Sequence, residues 1–257
     1  MRAAGKTAKI RAMKIGVYGT GRFGVLWARL LARAFPVVAH NRTPRPFPDP
    51  SIPMVSLEEL AASDVVFICT AISSIEPVLE GLAPHLAPGT LVADTCSVKI
   101  YPVRCMERIL PPEVRILGTH PMFGPDSARD GFDGLPLILC PVRISGDDTR
   151  FWRELFSGFG LRVFTMTPDE HDREAAFTQG IAHFVGRVLK DLDLRPSAIA
   201  TMGYRKLLEI MEQTCNDPWR LFLDLQNYNP HTLEMRDLLQ RSFRRILAKL
   251  DSPPGDH

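Results

Sequence analysis

The chain has 257 residues, 45% of them hydrophobic and 23% charged, with a formal net charge of +2. That length suits one large core or two smaller domains, and the near-neutral balance argues against a dedicated nucleic-acid binder. No apolar run approaches the roughly 20 residues needed to span a bilayer, so a membrane role is not expected.

Residues 1–14 carry five basic side chains and no acid. They read as a solvated tail, because the apolar centre of a secretory leader is missing. Five scattered cysteines, Cys69, Cys96, Cys105, Cys140 and Cys215, form no C-x-x-C pair. They predict reduced thiols in a cytoplasmic setting, with no metal site and no disulfide frame.

Residues 14–43 hold the strongest local pattern. Residues 14–18 read as a short apolar strand, 23–34 as a helix and 36–40 as a second strand. Between the first strand and the helix lie Gly19, Gly21 and Gly24 in G-x-G-x-x-G spacing, with Thr20, Arg22 and Phe23 completing the turn. Gly19 allows the tight turn, Gly21 lets a pyrophosphate approach the backbone, and Gly24 lets helix and strand pack closely. The phosphates would sit on the helix N-terminus, where unpaired N–H groups and the helix dipole favour anions. A dinucleotide site follows.

The second strand ends in His40, Asn41, Arg42 and Thr43. An NAD site of this type places an acid here for the ribose 2′-hydroxyl. A guanidinium and a hydroxyl suit a 2′-phosphate instead. NADP is therefore the predicted cofactor, with NAD the alternative.

Five prolines make residues 44–53 a stiff extended loop. Residues 57–63 are helix-like, and 64–70 form a β-branched apolar run that should be the third parallel strand. Its end, Thr70 to Ile72, would face the cofactor, since ligands bind beyond strand C-termini in such sheets. A helix over 74–86 and strands over 90–94, 114–117 and 135–140 follow. This alternation predicts an α/β fold: a Rossmann-type doubly wound, mostly parallel sheet over 13–165.

Two strand ends carry polar groups, Asp94-Thr95-Cys96-Ser97-Val98-Lys99 and Gly118-Thr119-His120-Pro121. Both should project from the cofactor edge. A neutral imidazole at His120 would take the proton lost when an alcohol is oxidised. Ser97 could hydrogen-bond that ring and fix its tautomer.

A helix over 151–159 and a last strand over 161–164 close the sheet domain. Thr167-Pro168-Asp169-Glu170 is a capping box with Pro at N1. Helices over 168–192, 199–214, 218–228 and 232–250 then make an all-α domain over 166–250. Asp217 caps the third of them, and the tail from 251 is expected to be disordered. On the first helix Phe177, Ile181, Phe184, Val188 and Leu192 form an apolar stripe, while Gln179 and His183 share another face. So much apolar helix surface predicts a homodimer.

Four segments together resemble the prephenate/arogenate dehydrogenase family: G-T-G-R-F-G at 19–24, D-T-C-S-V-K at 94–99, G-T-H-P-M-F-G-P at 118–125 and the E-H-D-R…H helix at 170–183. Residues 203–229 look most like the plant-type arogenate enzymes. The resemblance implies a cyclohexadienol substrate that gives hydride to a nicotinamide and loses CO2. It assigns the ring hydroxyl to His120, the support of that histidine and a place beside the nicotinamide to Ser97, and a substrate pocket to Thr119, Gln179 and His183. Bacterial prephenate enzymes carry an Arg in a T-R-I-A-like segment, where this chain has Glu209; Arg205 and Arg220 are nearby cations. An acid in the T-C-N-D segment, here Asp217, would favour the ammonium of arogenate over the keto acid of prephenate. The leading expectation is NADP-linked arogenate dehydrogenation to tyrosine. Prephenate, or an amino-substituted prephenate of a specialised pathway, is the rival substrate. More distant readings are a β-hydroxyacid dehydrogenase or imine reductase, for which Lys190 is the available helix lysine, and a non-enzymatic NADP-binding redox sensor.

Overall fold

The structure, a computed structural model, describes residues 13–251. Most of the basic N-terminal tail and the end of the C-terminal tail lie outside that range. The chain divides into two compact units at the His171/Asp172 junction.

The first unit is a seven-stranded sheet. Its strands are β1 (Ile15–Tyr18), β2 (Val37–His40), β3 (Val65–Ile68), β4 (Leu91–Asp94), β5 (Arg115–Pro121), β6 (Pro136–Arg143) and β7 (Arg162–Thr165). The spatial order is β2-β1-β3-β4-β5-β6-β7. All neighbours run parallel except β5 and β6, which are antiparallel. The order reverses at β1, where β2 and β3 leave in opposite directions, and a crevice opens at such a point.

The central strands β1, β3 and β4 are buried on both faces because helices cover both. Alternate residues Ile15, Val17, Val65, Phe67, Leu91 and Ala93 share one core with Trp27 of α1 (Arg22–Leu31) and with Trp152 and Phe156 of α5 (Gly146–Gly158). Aromatic rings tie this core together: Trp27 meets Phe67 edge-on at 5.7 Å, and Phe67 meets Trp152 at 5.6 Å. The opposite face takes α2 (Leu57–Ala61), whose Leu60 packs against Gly16. Ser56 and Glu59 start that helix as a reciprocal capping box. Beyond it come α3 (Ile75–Leu82), framed by 3-10 turns at Ile72–Ser74 and Ala83–His85, and α4 (Ile100–Ile109). The α4 segment is a helix not expected from sequence; Pro102 in its first turn is tolerated because those N–H groups lack intrahelical partners.

The second unit begins inside α6 (Pro168–Ala175) and continues through a π turn at Ala176–Gly180 into α7 (Ile181–Asp191), then α8 (Met202–Cys215), α9 (Trp219–Tyr228) and α10 (Thr232–Leu250). The expected single helix over 168–192 is thus interrupted. The carbonyl of Gly180, at the end of the π turn, accepts from Gln226 Nε2 of α9 at 2.9 Å. The Pro218 position also shifts: α9 starts at Trp219, with Pro218 at the N-cap and Asp217 one residue further out. The predicted apolar stripe is largely open, with Phe177, Val188 and Leu192 among the exposed large hydrophobic residues. No described helix is long and apolar enough to cross a membrane.

Candidate active site

The glycine turn follows β1 at the point where the strand order reverses. Gly19 has φ +99°, and a Cβ there would stand 2.4 Å from the Cys69 carbonyl oxygen. A Cβ on Gly24 would lie 1.9 Å from the Gly19 carbonyl oxygen, so only glycine lets the helix close on the turn. Gly21 is the N-cap of α1, makes no side-chain cap, and faces open space. That is a cradle with free helix N–H groups, as a pyrophosphate requires.

The flanking residues extend the cradle. Asn41 Oδ1 accepts from Thr20 N at 3.3 Å, and Asn41 Nδ2 donates to Thr43 O at 2.7 Å. Arg42 and Thr43 are exposed. Arg45, absent from the expected set, reaches back from the proline-rich loop, its Nε donating to Thr20 Oγ1 at 2.9 Å. His40, Asn41, Pro44, Arg45 and Val55 line a cavity of about 560 Å³ at this end of β2. Arg45 thus lines that cavity, and Arg42 is exposed just past the end of β2. Thr70 Oγ1 is buried without a hydrogen-bond partner, a feature that fits a cofactor group to be satisfied. The remaining expected cofactor residues make contacts within the protein. Arg22 pairs with Asp126 at 2.6 Å, Phe23 stacks on Trp27 at 5.7 Å, and Ile72 is buried at the start of the 3-10 turn.

Tyr18, Ile68, Asp94 and Gly118 stand level in register across β1, β3, β4 and β5. Thr119 and His120 extend past that row, on the sheet edge that carries the glycine turn. His120 lies within β5, opposite Ile138 of β6, and not on a loop. Antiparallel pairing with β6 carries β5 beyond the point where its parallel partner β4 stops.

His120 is only 1% exposed. Burial holds its imidazole well below the ordinary histidine range, and His171 and the Lys99 ammonium push in the same direction. It is a neutral base at physiological pH. His120 Nδ1 is 2.8 Å from His171 Nε2. Ser97, expected to support this ring, sits half-buried in the turn after β4. Thr119 is fully buried, its hydroxyl donates to the Asp94 carbonyl, and its own carbonyl accepts from Lys99. It braces β5 against β4.

Below these residues lies an ion pair with no exposure, Lys99 Nζ to Asp94 Oδ2, and Cys96 N also donates to that oxygen at 2.9 Å. Burial pushes the Cys69 thiol up to about 12 and Cys96 well above its usual value, so neither is a thiolate nucleophile.

The second unit holds the other expected residues. His183 Nε2 is 3.9 Å from Asp217 Oδ2, and His183 Nδ1 and Gln179 Oε1 are buried without partners. The π turn separates Gln179 from His183 by a turn of different pitch, so the simple four-residue face does not apply. Burial lowers the His183 pKa, opposed by Asp217 and assisted by Arg187. Arg187, one turn beyond His183, was not expected at this position. Its guanidinium donates to Thr214 O at 3.2 Å and Asp217 O at 2.7 Å, and stacks over Trp219 at 5.2 Å. It clamps the segment that carries Asp217. Arg205 and Arg220 are exposed, and Arg205 donates to the Ala200 carbonyl.

A glycine turn at the sheet's switch point, with a neutral imidazole past the same row of strand ends, defines a nicotinamide-dependent oxidoreductase. Residues 53–165 match the prephenate dehydrogenase nucleotide-binding domain family, and residues 188–255 match the TYRAAT1-like C-terminal domain. The chain is 35% identical over 254 residues to arogenate dehydrogenase 2, chloroplastic, of Arabidopsis thaliana, covering 94% of this chain and 71% of that protein. It is equally 35% identical over 252 residues to arogenate dehydrogenase 1, chloroplastic, of the same plant, covering 93% of this chain but 39% of that protein. The fold matches the crystal structure of prephenate dehydrogenase from A. aeolicus with a TM-score of 0.73 at 17% identity, covering 93% and 92% of the two chains. The chain belongs to the prephenate/arogenate dehydrogenase family.

Proposed function

We propose that the protein oxidises L-arogenate to L-tyrosine with NADP. The observation that carries this reading is His120, a buried neutral imidazole just past the strand row that ends at the glycine turn. His120 Nε2 takes the proton of the ring hydroxyl. NADP held at the Gly19, Gly21 and Gly24 turn would supply the oxidant, a hydride acceptor for the hydrogen on the same ring carbon. The C–CO2 bond then breaks, its electrons enter the ring, and the oxygen regains its proton as a phenol. The proton borrowed by His120 is returned, and aromatisation makes the step effectively irreversible.

The arogenate choice rests on Asp217, whose carboxylate suits the side-chain ammonium and repels a keto acid, and on the plant relatives' names. The NADP choice rests on Arg42, with Arg45 beside it, and on the lack of an acid at the end of β2. The helices of the second unit form the homodimer face, on which the exposed apolar residues would be covered. Five free cysteines suit a reducing compartment such as the cytoplasm.

Initial rates with arogenate and prephenate, each against NADP and NAD, test the reading. Arogenate with NADP should give the highest kcat/KM. Asp217→Asn should raise the arogenate KM by about 10- to 100-fold, the worth of one hydrogen bond to a charged group, and lower the prephenate KM, because the repelling charge is gone. Equal or better turnover of prephenate by the unaltered enzyme removes the role of Asp217. Replacing Arg42 and Arg45 together by Ala should cost NADP a similar factor and spare NAD; an equal loss with both cofactors would show that the two guanidiniums do not read the 2′-phosphate.

A further inference from the structure

The His120 ring has a partner that neither the sequence patterns nor the family resemblance assigned. His171 Nε2 lies 2.8 Å from His120 Nδ1, with the rings nearly perpendicular at 65° and their centroids 5.0 Å apart. His171 is 2% exposed and His120 1%, so water does not compete for the contact. The residue that brings His171 here is set by local sequence. Thr167 and Glu170 cap α6 reciprocally, Glu170 N donating to Thr167 Oγ1 at 3.2 Å and Thr167 N to Glu170 Oε2 at 2.8 Å. His171 N then closes the first helical turn on Thr167 O at 3.0 Å. The capping box thereby fixes where the His171 ring emerges.

We propose that His171 is a positioning residue that holds His120 as the Nδ1–H tautomer, leaving Nε2 as the base. The proposal rests on the dehydrogenase reading above.

One hydrogen lies between the two imidazoles, and its owner decides what His120 can do. If His171 donates, His120 carries its hydrogen on Nε2 and cannot accept a proton there. If His120 donates, Nε2 keeps a lone pair aimed away from His171 and accepts the substrate O–H proton. The imidazolium formed in that step keeps its Nδ1–H bond to His171. In serine proteases a carboxylate does this orienting work. An imidazole orients without a negative charge, so it does not raise the basicity of His120 as a carboxylate would. The charged and titratable groups around His120 are His171 from α6 and Lys99, itself paired with Asp94, from the turn after β4.

The test compares His171→Leu, which has no acceptor, with His171→Gln, whose side-chain oxygen can accept from Nδ1. His171→Leu should lower kcat about 10- to 100-fold, a share of the general-base contribution, with KM for NADP within twofold. His171→Gln should recover most of the lost kcat. A His171→Leu enzyme that binds NADP and keeps kcat within twofold overturns the proposal, as does His171→Gln being no better than His171→Leu.

A second readout does not depend on turnover. In ¹⁵N spectra of the full chain, with the His120 signals identified by their loss in His120→Asn, Nδ1 should show the protonated shift and Nε2 the unprotonated one. His171→Leu should abolish that preference. An Nε2–H His120 in the unaltered protein defeats the proposal. Failure of the unaltered enzyme to oxidise either arogenate or prephenate, with the expected tautomer present, would instead remove the functional reading and leave the histidine pair standing.

Discussion

His120→Asn should lower kcat by about 10²- to 10⁴-fold, the range general acid–base catalysis supplies, while NADP binding stays within twofold. The amide fills much of the same volume in β5 and has no basic nitrogen, so the variant isolates proton transfer from packing. Binding should survive because the cradle at Gly19, Gly21 and Gly24 is built from β1 and α1, not from β5. The pH profile adds a signed expectation. Burial favours the neutral ring, so the folded-state pKa of His120 lies well below 6.5. The base is therefore active through neutral pH, and the acid limb of kcat/KM should fall below the ordinary imidazole range. The same shift acts on stability. Above the unfolded pKa of about 6.5 the contribution is present in full; as pH falls from there toward the folded value, the unfolded chain takes up a proton that the folded chain refuses, and stability drops. His120→Asn should flatten that part of the thermal-stability profile. A variant keeping more than a tenth of kcat would end the general-base role.

The strand-turn-helix-strand unit over β1, α1 and β2 was legible because each of its signals is local. Three glycines at fixed spacing answer three separate steric demands, and two of them leave no room for a Cβ. The alternation that predicts a mostly parallel sheet is local too. What the sequence hid depends on distant partners. His120 was expected on a loop because the apolar run ends near 117, but pairing with β6 some twenty residues later extends β5 through Pro121. The π turn at Ala176–Gly180 is stabilised by Gln226, 46 residues away from Gly180. The contact of His171 with the His120 ring spans 51 residues. Arg45 reads as a loop arginine among prolines until the fold returns it to Thr20. The E-H-D-R segment was noticed for its resemblance, but no local rule says which of its side chains turns toward β5.

Lys99→Met should destabilise the protein by about 3–5 kcal/mol, the cost of breaking a buried pair by removing one partner. Lys99 has no solvent exposure, and its ammonium bonds both Asp94 Oδ2 and the Thr119 carbonyl. It therefore joins the end of β4 to the end of β5 one residue before His120. Met matches the length of the lysine stem, so the core loses charge rather than volume. Asp94 would then be a buried carboxylate with no cation, and Thr119 O would lose its donor; both penalties fall on the same edge. At about 2–4 °C per kcal/mol for a chain of this size, the melting temperature should fall by roughly 6–20 °C. Adding Asp94→Asn removes the stranded charge and should return part of the loss, which a simple packing defect at position 99 would not allow. Catalysis should feel the change separately. Lys99 contributes to keeping His120 neutral, so in Lys99→Met the acid limb of kcat/KM should move to higher pH. A melting temperature within 2 °C of the parent, or no gain from Asp94→Asn, would mean that the pair does not hold this corner of the sheet.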